Sequence, residues 1–298
     1  MKIANNPTLT QWLEHATALL TPLLETGPVP ADAKQEARRI LLELLDINAT
    51  SLMLYPGREL TEAQLQLLEP VLARRLTGEP LAHILGYWYF WDFKLAVAPC
   101  TLIPRPDTEL LVEQSLALSL PAQAKVLDLG TGTGAIALAL AKEKPHWTVT
   151  GVDLQPDAVD LAKQNVQLLE LANCQIKQSR WFEAVTGEQF DLIVSNPPYI
   201  DAQDPHLALG DVRFEPDSAL VAPEQGLADI RHICNQAPHY LTPTGWLWLE
   251  HGYQQSEAVQ RILTEAGFSS VQSVKDYGGQ WRISGGQLAD FSLNSLSR

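Results

Sequence analysis

Lys125-Val126-Leu127-Asp128-Leu129-Gly130-Thr131-Gly132-Thr133-Gly134 decides how the rest of the chain is read. Its first half is a short apolar run broken by one acid, the pattern of a buried strand. Three glycines in five positions then make a tight turn, and the wholly apolar Ala135–Ala141 continues as a helix. Strand, glycine turn and helix in that order begin a strand–helix–strand unit of a parallel sheet. Glycine has no Cβ, so a ligand can approach the backbone of such a turn closely. Trp147–Val152 reads as the next strand and ends at Asp153, nineteen residues after Gly134. A carboxylate at that strand end can accept hydrogen bonds from both hydroxyls of a ribose.

Downstream the alternation continues. Pro156–Leu171 reads as a helix with proline in its first turn. Short strands follow near Gln175 and at Phe190–Val194, then a strand at Gly245–Leu249 and a helix at Ser256–Ala266 that Gly267 ends. Val271–Val274 and Gln280–Ile283 are expected to form a final antiparallel pair, with Leu288–Arg298 frayed.

Upstream, residues 8–80 are helical in pattern: Ala16, Leu19, Leu20, Leu23 and Leu24, then Ile40, Leu41, Leu44 and Leu45, recur at helical spacing. Thr61-Glu62-Ala63-Gln64 is a capping-box pattern that opens a helix through about Leu76. Arg38-Arg39 and Arg74-Arg75 are candidates for a basic face toward an acidic partner. Residues 81–104 hold six aromatics in the eight positions Gly86–Phe93 and read as a β-hairpin whose rings pack between domains. Asp107 or Thr108 is the expected cap of the helix that follows. The fold class is therefore α/β: a Rossmann-like, mostly parallel sheet with an antiparallel last strand and a small N-terminal helical domain. The boundaries fall at 1–80 for the helical domain, 81–104 for the hairpin linker and 105–298 for the sheet domain.

The second chemically loaded stretch is Ser195-Asn196-Pro197-Pro198-Tyr199, at the end of the Phe190–Val194 strand. Proline fixes φ and donates no backbone hydrogen bond, so two in succession stop the strand and stiffen the turn. The product is a rigid shelf with one amide side chain, carbonyls in need of donors, and one aromatic ring, a set that suits holding a planar NH2 group. A plain strand-ending turn has the same composition.

Composition narrows the setting. The chain has 298 residues, 46% hydrophobic and 19% charged, which describes an ordinary globular protein. It has no apolar run long enough for a membrane helix, and its first residues lack the apolar core of a signal peptide. Three scattered cysteines and the absence of a His-Glu-x-x-His pattern predict no disulfide framework and no metal, in a cytoplasmic location. A net charge of −14, from 21 basic and 35 acidic residues, suits nucleic acid poorly and favours a protein or small-molecule target.

Two nucleotide cofactors compete for the glycine loop. The position three after Gly132 is Ala135, a tolerated variant of the dinucleotide fingerprint, so spacing alone leaves NAD open. Asp128 tips the reading toward S-adenosylmethionine: a carboxylate near this turn can face a cationic group and is awkward beside a pyrophosphate. Asp128 has a second reading, as a cap of the loop amides.

Asp128–Gly134, Asp153 and Asn196-Pro197-Pro198-Tyr199 together resemble the class I S-adenosylmethionine-dependent methyltransferases that modify planar amino nitrogens. Leu102–Glu109, Asp201–His206, Gly210–Pro216 and Asp276-Tyr277-Gly278 are similar to the release factor glutamine methyltransferases, the HemK/PrmC family. The resemblance implies the class I methyltransferase sheet. It implies that Gly130, Thr131, Gly132, Thr133, Gly134 and Asp153 hold S-adenosylmethionine, with S-adenosylhomocysteine as product. It assigns Trp181 to the adenine, although ordinary core packing is open for that ring, and Asn196 to both cofactor and substrate. Pro197, Pro198 and Tyr199 complete a glutamine site, with Asn196, Pro197 and Tyr199 as catalytic residues. Relatives often carry an acid before that tryptophan where this chain has Arg180, which leaves any contact of an acid with the adenine amino group without a counterpart.

The implied substrate is the glutamine of a Gly-Gly-Gln tripeptide in peptide-chain release factors. The alternatives are a ribosomal-protein glutamine methyltransferase, a nucleic-acid amino methyltransferase acting on adenine N6 or guanine N2, and a non-enzymatic nucleoside-binding module. The chain is expected to act as a monomer, without direct contact to nucleic acid or membrane. No general base is required, since a methylated amide nitrogen sheds its proton readily; Glu215, Glu250 and His251 are the candidates for one, with surface or structural roles as the favoured reading. The chain's own Gly278-Gly279-Gln280 and Gly285-Gly286-Gln287 are read as turn glycines flanking the last strand.

Overall fold

The computed structural model describes residues 6–24 and 32–289, which fall into two compact units. One comprises the chain up to Leu85 together with Pro205–Phe214; the other comprises Gly86–Asp204 and the chain from Glu215 onward.

The first unit is helical. Helices α1 (Leu9–Leu24), α2 (Ala33–Leu45), α3 (Ala49–Leu54), α4 (Glu62–Leu76) and α5 (Leu81–Leu85) follow one another. Trp12, Ala16 and Leu20 of α1, Ala37, Ile40 and Leu41 of α2, and Leu68 and Leu72 of α4 are buried, three or four residues apart as one face of a helix requires. The Thr61–Gln64 capping box forms, satisfying two backbone donors that a helix start leaves open. Arg75 does not belong to an exposed basic face. It is 2% exposed, forms an ion pair with Glu36, and donates to the carbonyls of Gly78 and Glu79, both at 3.1 Å. Its second acid is Asp211, 3.0 Å away, which draws the Pro205–Phe214 segment onto the end of α4. Gly78 has φ +96, and a Cβ there would collide with the Arg213 guanidinium. Arg74 is bound by Glu79.

The second unit begins with the hairpin β1 (Tyr87–Phe90) and β2 (Phe93–Ala96). Phe90 and Phe93 of this hairpin are buried in the core of the sheet unit. Its edge is tied down by Asn165, which accepts from the Ala96 N–H at 2.8 Å and donates to the carbonyls of Ala96 and Thr133. Then follow α6 (Pro106–Leu116), β3 (Lys125–Leu129), α7 (Ala135–Glu143), β4 (Thr148–Asp153), α8 (Pro156–Leu168), β5 (Cys174–Gln178) and β6 (Phe190–Ser195). The remainder is α9 (Asp217–Leu220), α10 (Pro223–Gly226), α11 (Ala228–Gln236), β7 (Leu241–Glu250), α12 (Ser256–Glu265), β8 (Phe268–Lys275) and β9 (Trp281–Leu288).

The seven-stranded sheet has the order β5-β4-β3-β6-β7-β9-β8. Strands β3 to β7 are parallel, and β9 runs antiparallel to both neighbours. The expected mostly parallel sheet with an antiparallel end is therefore present. The order reverses between β3 and β6: β4 and β5 lie to one side, β6 and β7 to the other. In open α/β sheets the crevice outside such a switch point is where ligands bind. Both marked stretches, the glycine turn after β3 and the shelf after β6, leave the sheet there.

Three local expectations change. The cap of α6 is Arg105, without a side-chain cap bond, because Pro106 takes the first helical position and Thr108 is engaged elsewhere. Gly285 and Gly286 lie within β9 and not in a turn: a Cβ at Gly285 would stand 2.4 Å from the Trp248 ring, so that strand crosses the indole only as glycine. Gly278 and Gly279 do form the β8–β9 turn, Gly279 at φ +82. Leu288 pairs with Phe268 within the sheet; residues 290–298 of the expected frayed end lie outside the described residues.

Candidate active site

A cavity of about 290 Å³ opens at the switch point. Gly130, Thr131, Gly132 and Thr133 line it, with Asp153, Trp181, Asn196 and Pro198. The glycine turn and the shelf are brought together because β3 and β6 are neighbours in register, Leu129 opposite Ser195. The Ser195 hydroxyl reinforces this by donating to the Leu129 carbonyl at 2.7 Å.

The turn holds its shape through left-handed glycines, Gly130 at φ +69, Gly132 at +55 and Gly134 at +87. Side chains other than glycine are strained in that region. Gly134 does not line the cavity: it starts α7, and a Cβ there would press on Leu138 at 3.0 Å. Asp128 is fully buried and is not among the cavity-lining residues. Its Oδ2 accepts from the Thr131 hydroxyl at 2.6 Å and the Ala137 N–H, in the first turn of α7, at 3.2 Å, so it braces the loop and the helix start rather than capping loop amides. Burial pushes its pKa up to about 7, against the pull of those two donors.

Asp153 sits at the end of β4, as expected. One carboxylate oxygen accepts from the Gly132 N–H at 2.9 Å and the other from the Gln155 N–H at 3.0 Å. Burial raises its pKa while these amides lower it. A carboxylate has about four acceptor positions, so hydrogen-bonding capacity remains for a ligand.

Trp181 adopts φ +51, a backbone state uncommon outside glycine. The Ser179 hydroxyl holds it there, donating to the Trp181 carbonyl at 2.8 Å and accepting from the Ala184 N–H at 2.9 Å. The indole edge lies over Gly130: a Cβ on that glycine would be 3.8 Å from Trp181 Cζ3. Arg180 and Asp229 of α11 also line the cavity.

On the shelf, Asn196 and Pro198 face the cavity, whereas Pro197 is buried and neither Pro197 nor Tyr199 lines it. Tyr199 turns its hydroxyl to Glu250, at 3.1 Å, and its carbonyl accepts from Gln255 Nε2 at 3.0 Å. Asn196 Nδ2 donates to Thr108 Oγ1 at 3.2 Å, and Thr108 in turn donates to Glu250 Oε2 at 2.7 Å. The sequence reading missed Thr108 as part of the site and set Glu250 aside. One signal pointed to Glu250: it ends β7, the strand beside β6, where Ser195 pairs with Leu249. Glu215, also set aside, is buried and holds Arg105 through both carboxylate oxygens, at 2.7 and 2.8 Å. His251 is buried against the Ser284 hydroxyl at 2.7 Å, away from the cavity.

Among the described residues no cluster of His, Cys, Asp and Glu is arranged to hold a metal ion, and no helix is long and apolar enough to cross a membrane.

Residues 106–215 match the methyltransferase small domain, and residues 11–86 the PrmC N-terminal domain. The chain is 53% identical over 259 residues to the release factor glutamine methyltransferase of Salmonella typhimurium, covering 87% of this chain and 94% of that protein. It is 51% identical over 269 residues to the protein of that name from Pseudomonas aeruginosa, covering 90% of this chain and 98% of the other. Among solved structures, a methyltransferase from Pyrococcus furiosus shares the fold, with a TM-score of 0.52 at 19% identity over 73% of this chain and 97% of its own. With about half of its residues shared along nearly its whole length, the chain belongs to the release factor glutamine methyltransferase family.

Proposed function

We propose that the cavity binds S-adenosylmethionine through Gly130–Thr133, Asp153 and Trp181, with Gly134 shaping the turn from behind, and that Asn196 presents a glutamine side-chain amide to it. The activity is methylation of the amide nitrogen of the glutamine in the Gly-Gly-Gln motif of peptide-chain release factors. The residues suit the cofactor: Asp153 keeps acceptor capacity for ribose hydroxyls, the glycine turn leaves backbone open to the cavity, and Trp181 lines the cavity with its ring edge beside Gly130. S-adenosylmethionine, when bound, supplies an activated sulfonium methyl group and leaves as S-adenosylhomocysteine.

An amide nitrogen is a poor nucleophile because its lone pair is shared with the carbonyl. The Asn196 side-chain oxygen accepts one of its hydrogens, which orients the nitrogen and stabilises positive charge as it grows there. Orientation of this kind is worth up to roughly 7–11 kcal/mol. Tyr199 shapes the shelf from behind through Glu250 and Gln255. The proton is lost to solvent, without a dedicated base.

The observation that carries this reading is the placement of Asn196, whose amide is tied to Thr108 while the residue lines one cavity with the glycine turn and Asp153. In the proposed organisation residues 1–80 recognise the protein partner, 81–104 link, and 105–298 transfer the methyl group. The enzyme works as a monomer in the cytoplasm without contacting nucleic acid. Incubation with methyl-labelled S-adenosylmethionine and, separately, a release factor, a ribosomal protein and RNA or DNA tests this. Label is expected in the release factor glutamine; label in either other substrate in its place overturns the choice.

A further inference from the structure

We propose that Thr108 and Glu250 are positioning residues that determine which end of the Asn196 amide faces the cavity. The inference rests on the role given to Asn196 above.

An asparagine side chain has a donor end and an acceptor end of nearly the same shape, and only its hydrogen-bond partners tell them apart. Here the partner is the Thr108 hydroxyl, which has one proton. That proton goes to Glu250 Oε2 at 2.7 Å, the shorter of the two contacts and one to a carboxylate. Toward Asn196, Thr108 then has only lone pairs to offer, so it selects Nδ2 at 3.2 Å. The opposite end, Oδ1, becomes the acceptor the glutamine amide needs. Were the proton of Thr108 turned to Asn196, the amide would reverse and place an NH2 against the substrate's NH2.

Glu250 secures this polarity. It is 1% exposed at the end of β7, and its other oxygen accepts from the Tyr199 hydroxyl at 3.1 Å. One buried carboxylate thus takes both hydroxyl protons and ties Asn196 and Tyr199, residues of one turn, to α6 and β7. Thr108 is 4% exposed and lines the cavity beside Asn196, while Glu250 does not reach it. Glu250 therefore acts through its neighbours, and Thr108, whose one proton is committed to Glu250, acts on the Asn196 amide.

The test uses Thr108→Val, which keeps the shape and removes the hydroxyl, and Thr108→Ser, which restores it, each alone and combined with Asn196→Ala in the full chain. Thr108→Val is expected to lower kcat at least tenfold with KM for the release factor within about threefold, and Thr108→Ser to return kcat to within about threefold of wild type. In the Asn196→Ala background Thr108→Val is expected to cost nothing further, because its effect passes through that amide. Wild-type kcat in Thr108→Val, equal damage from Val and Ser, or full additivity with Asn196→Ala each overturns the proposal. If Asn196→Ala alone leaves turnover intact, the role of the shelf fails first, and the two failures are told apart.

Discussion

Gly226 lies so close to the carbonyl of Tyr199 that a Cβ built on it would stand 1.9 Å from that oxygen. It ends three successive left-handed residues, Glu224, Gln225 and Gly226. Gln255 Nε2 bridges the carbonyls of Tyr199 and Gln225 from the same side, each at 3.0 Å. The shelf is therefore backed by a wall built of backbone. Gly226→Ala is expected to push the shelf from place: strain of about 1–2 kcal/mol from φ +82 adds to the collision. Methyl transfer to a release factor should fall at least about tenfold, and wild-type turnover in a folded Gly226→Ala protein would remove the wall from the account.

Asn196→Ala deletes the side-chain acceptor. Losing one group that acts in the transition state costs on the order of 10²-fold in kcat, and single-turnover kinetics should show the loss in the transfer step. Turnover near that of wild type would take Asn196 out of the mechanism.

Asp153→Ala separates cofactor binding from chemistry. A hydrogen bond to a charged group contributes roughly 1.5–3 kcal/mol, so losing contacts to ribose should weaken S-adenosylhomocysteine binding by about 10- to 100-fold in titration calorimetry. The same variant frees the Gly132 amide, which should broaden the loop's NMR signals. Unchanged affinity contradicts the assignment.

Asp128 makes stability depend on pH. Its folded pKa of about 7 lies above the ordinary 3.8, so the folded chain holds this proton more tightly than the unfolded chain. The stability it contributes is intact below about pH 4 and declines as pH rises toward 7, by roughly 4 kcal/mol at most. Asp128→Asn, which keeps an acceptor for Thr131 and Ala137, should flatten the fall in urea midpoint across that window. An equal slope in both proteins argues against a protonated Asp128.

In the helical unit, Arg75→Met leaves Glu36 and Asp211 without their shared cation and the Gly78 and Glu79 carbonyls without a donor. Breaking a buried pair costs roughly 3–5 kcal/mol; the partial exposure of both acids places the expected loss near the lower end. A thermal melt unchanged by the substitution contradicts the burial argument.

The features legible in the sequence are those whose cause is local. Three glycines at alternate positions between an apolar strand and an apolar helix permit the left-handed turn that a ligand loop needs, and two prolines after Asn196 end a strand without help from elsewhere. Asp153 is legible because it ends the strand after the first helix. The misread features depend on residues far away in the chain. Thr108 and Glu250 are 142 positions apart and meet only because α6 packs across the end of β7. Arg75 looks like any surface arginine until Glu36 and Asp211 enclose it. Gly285 reads as a turn residue because nothing nearby in sequence announces the Trp248 ring that it must pass.

Pro205–Phe214 leaves the shelf, joins the helical unit through Asp211 and Arg213, and returns at Glu215. Covalent order and folding unit therefore do not coincide. A chimaera that exchanges only the first 85 residues with those of a relative would set a foreign α4 against a native Asp211 and Arg213. The portable cassette is discontinuous, residues 1–85 with 205–214, and a library that shuffles helical units among these enzymes has to move both pieces together.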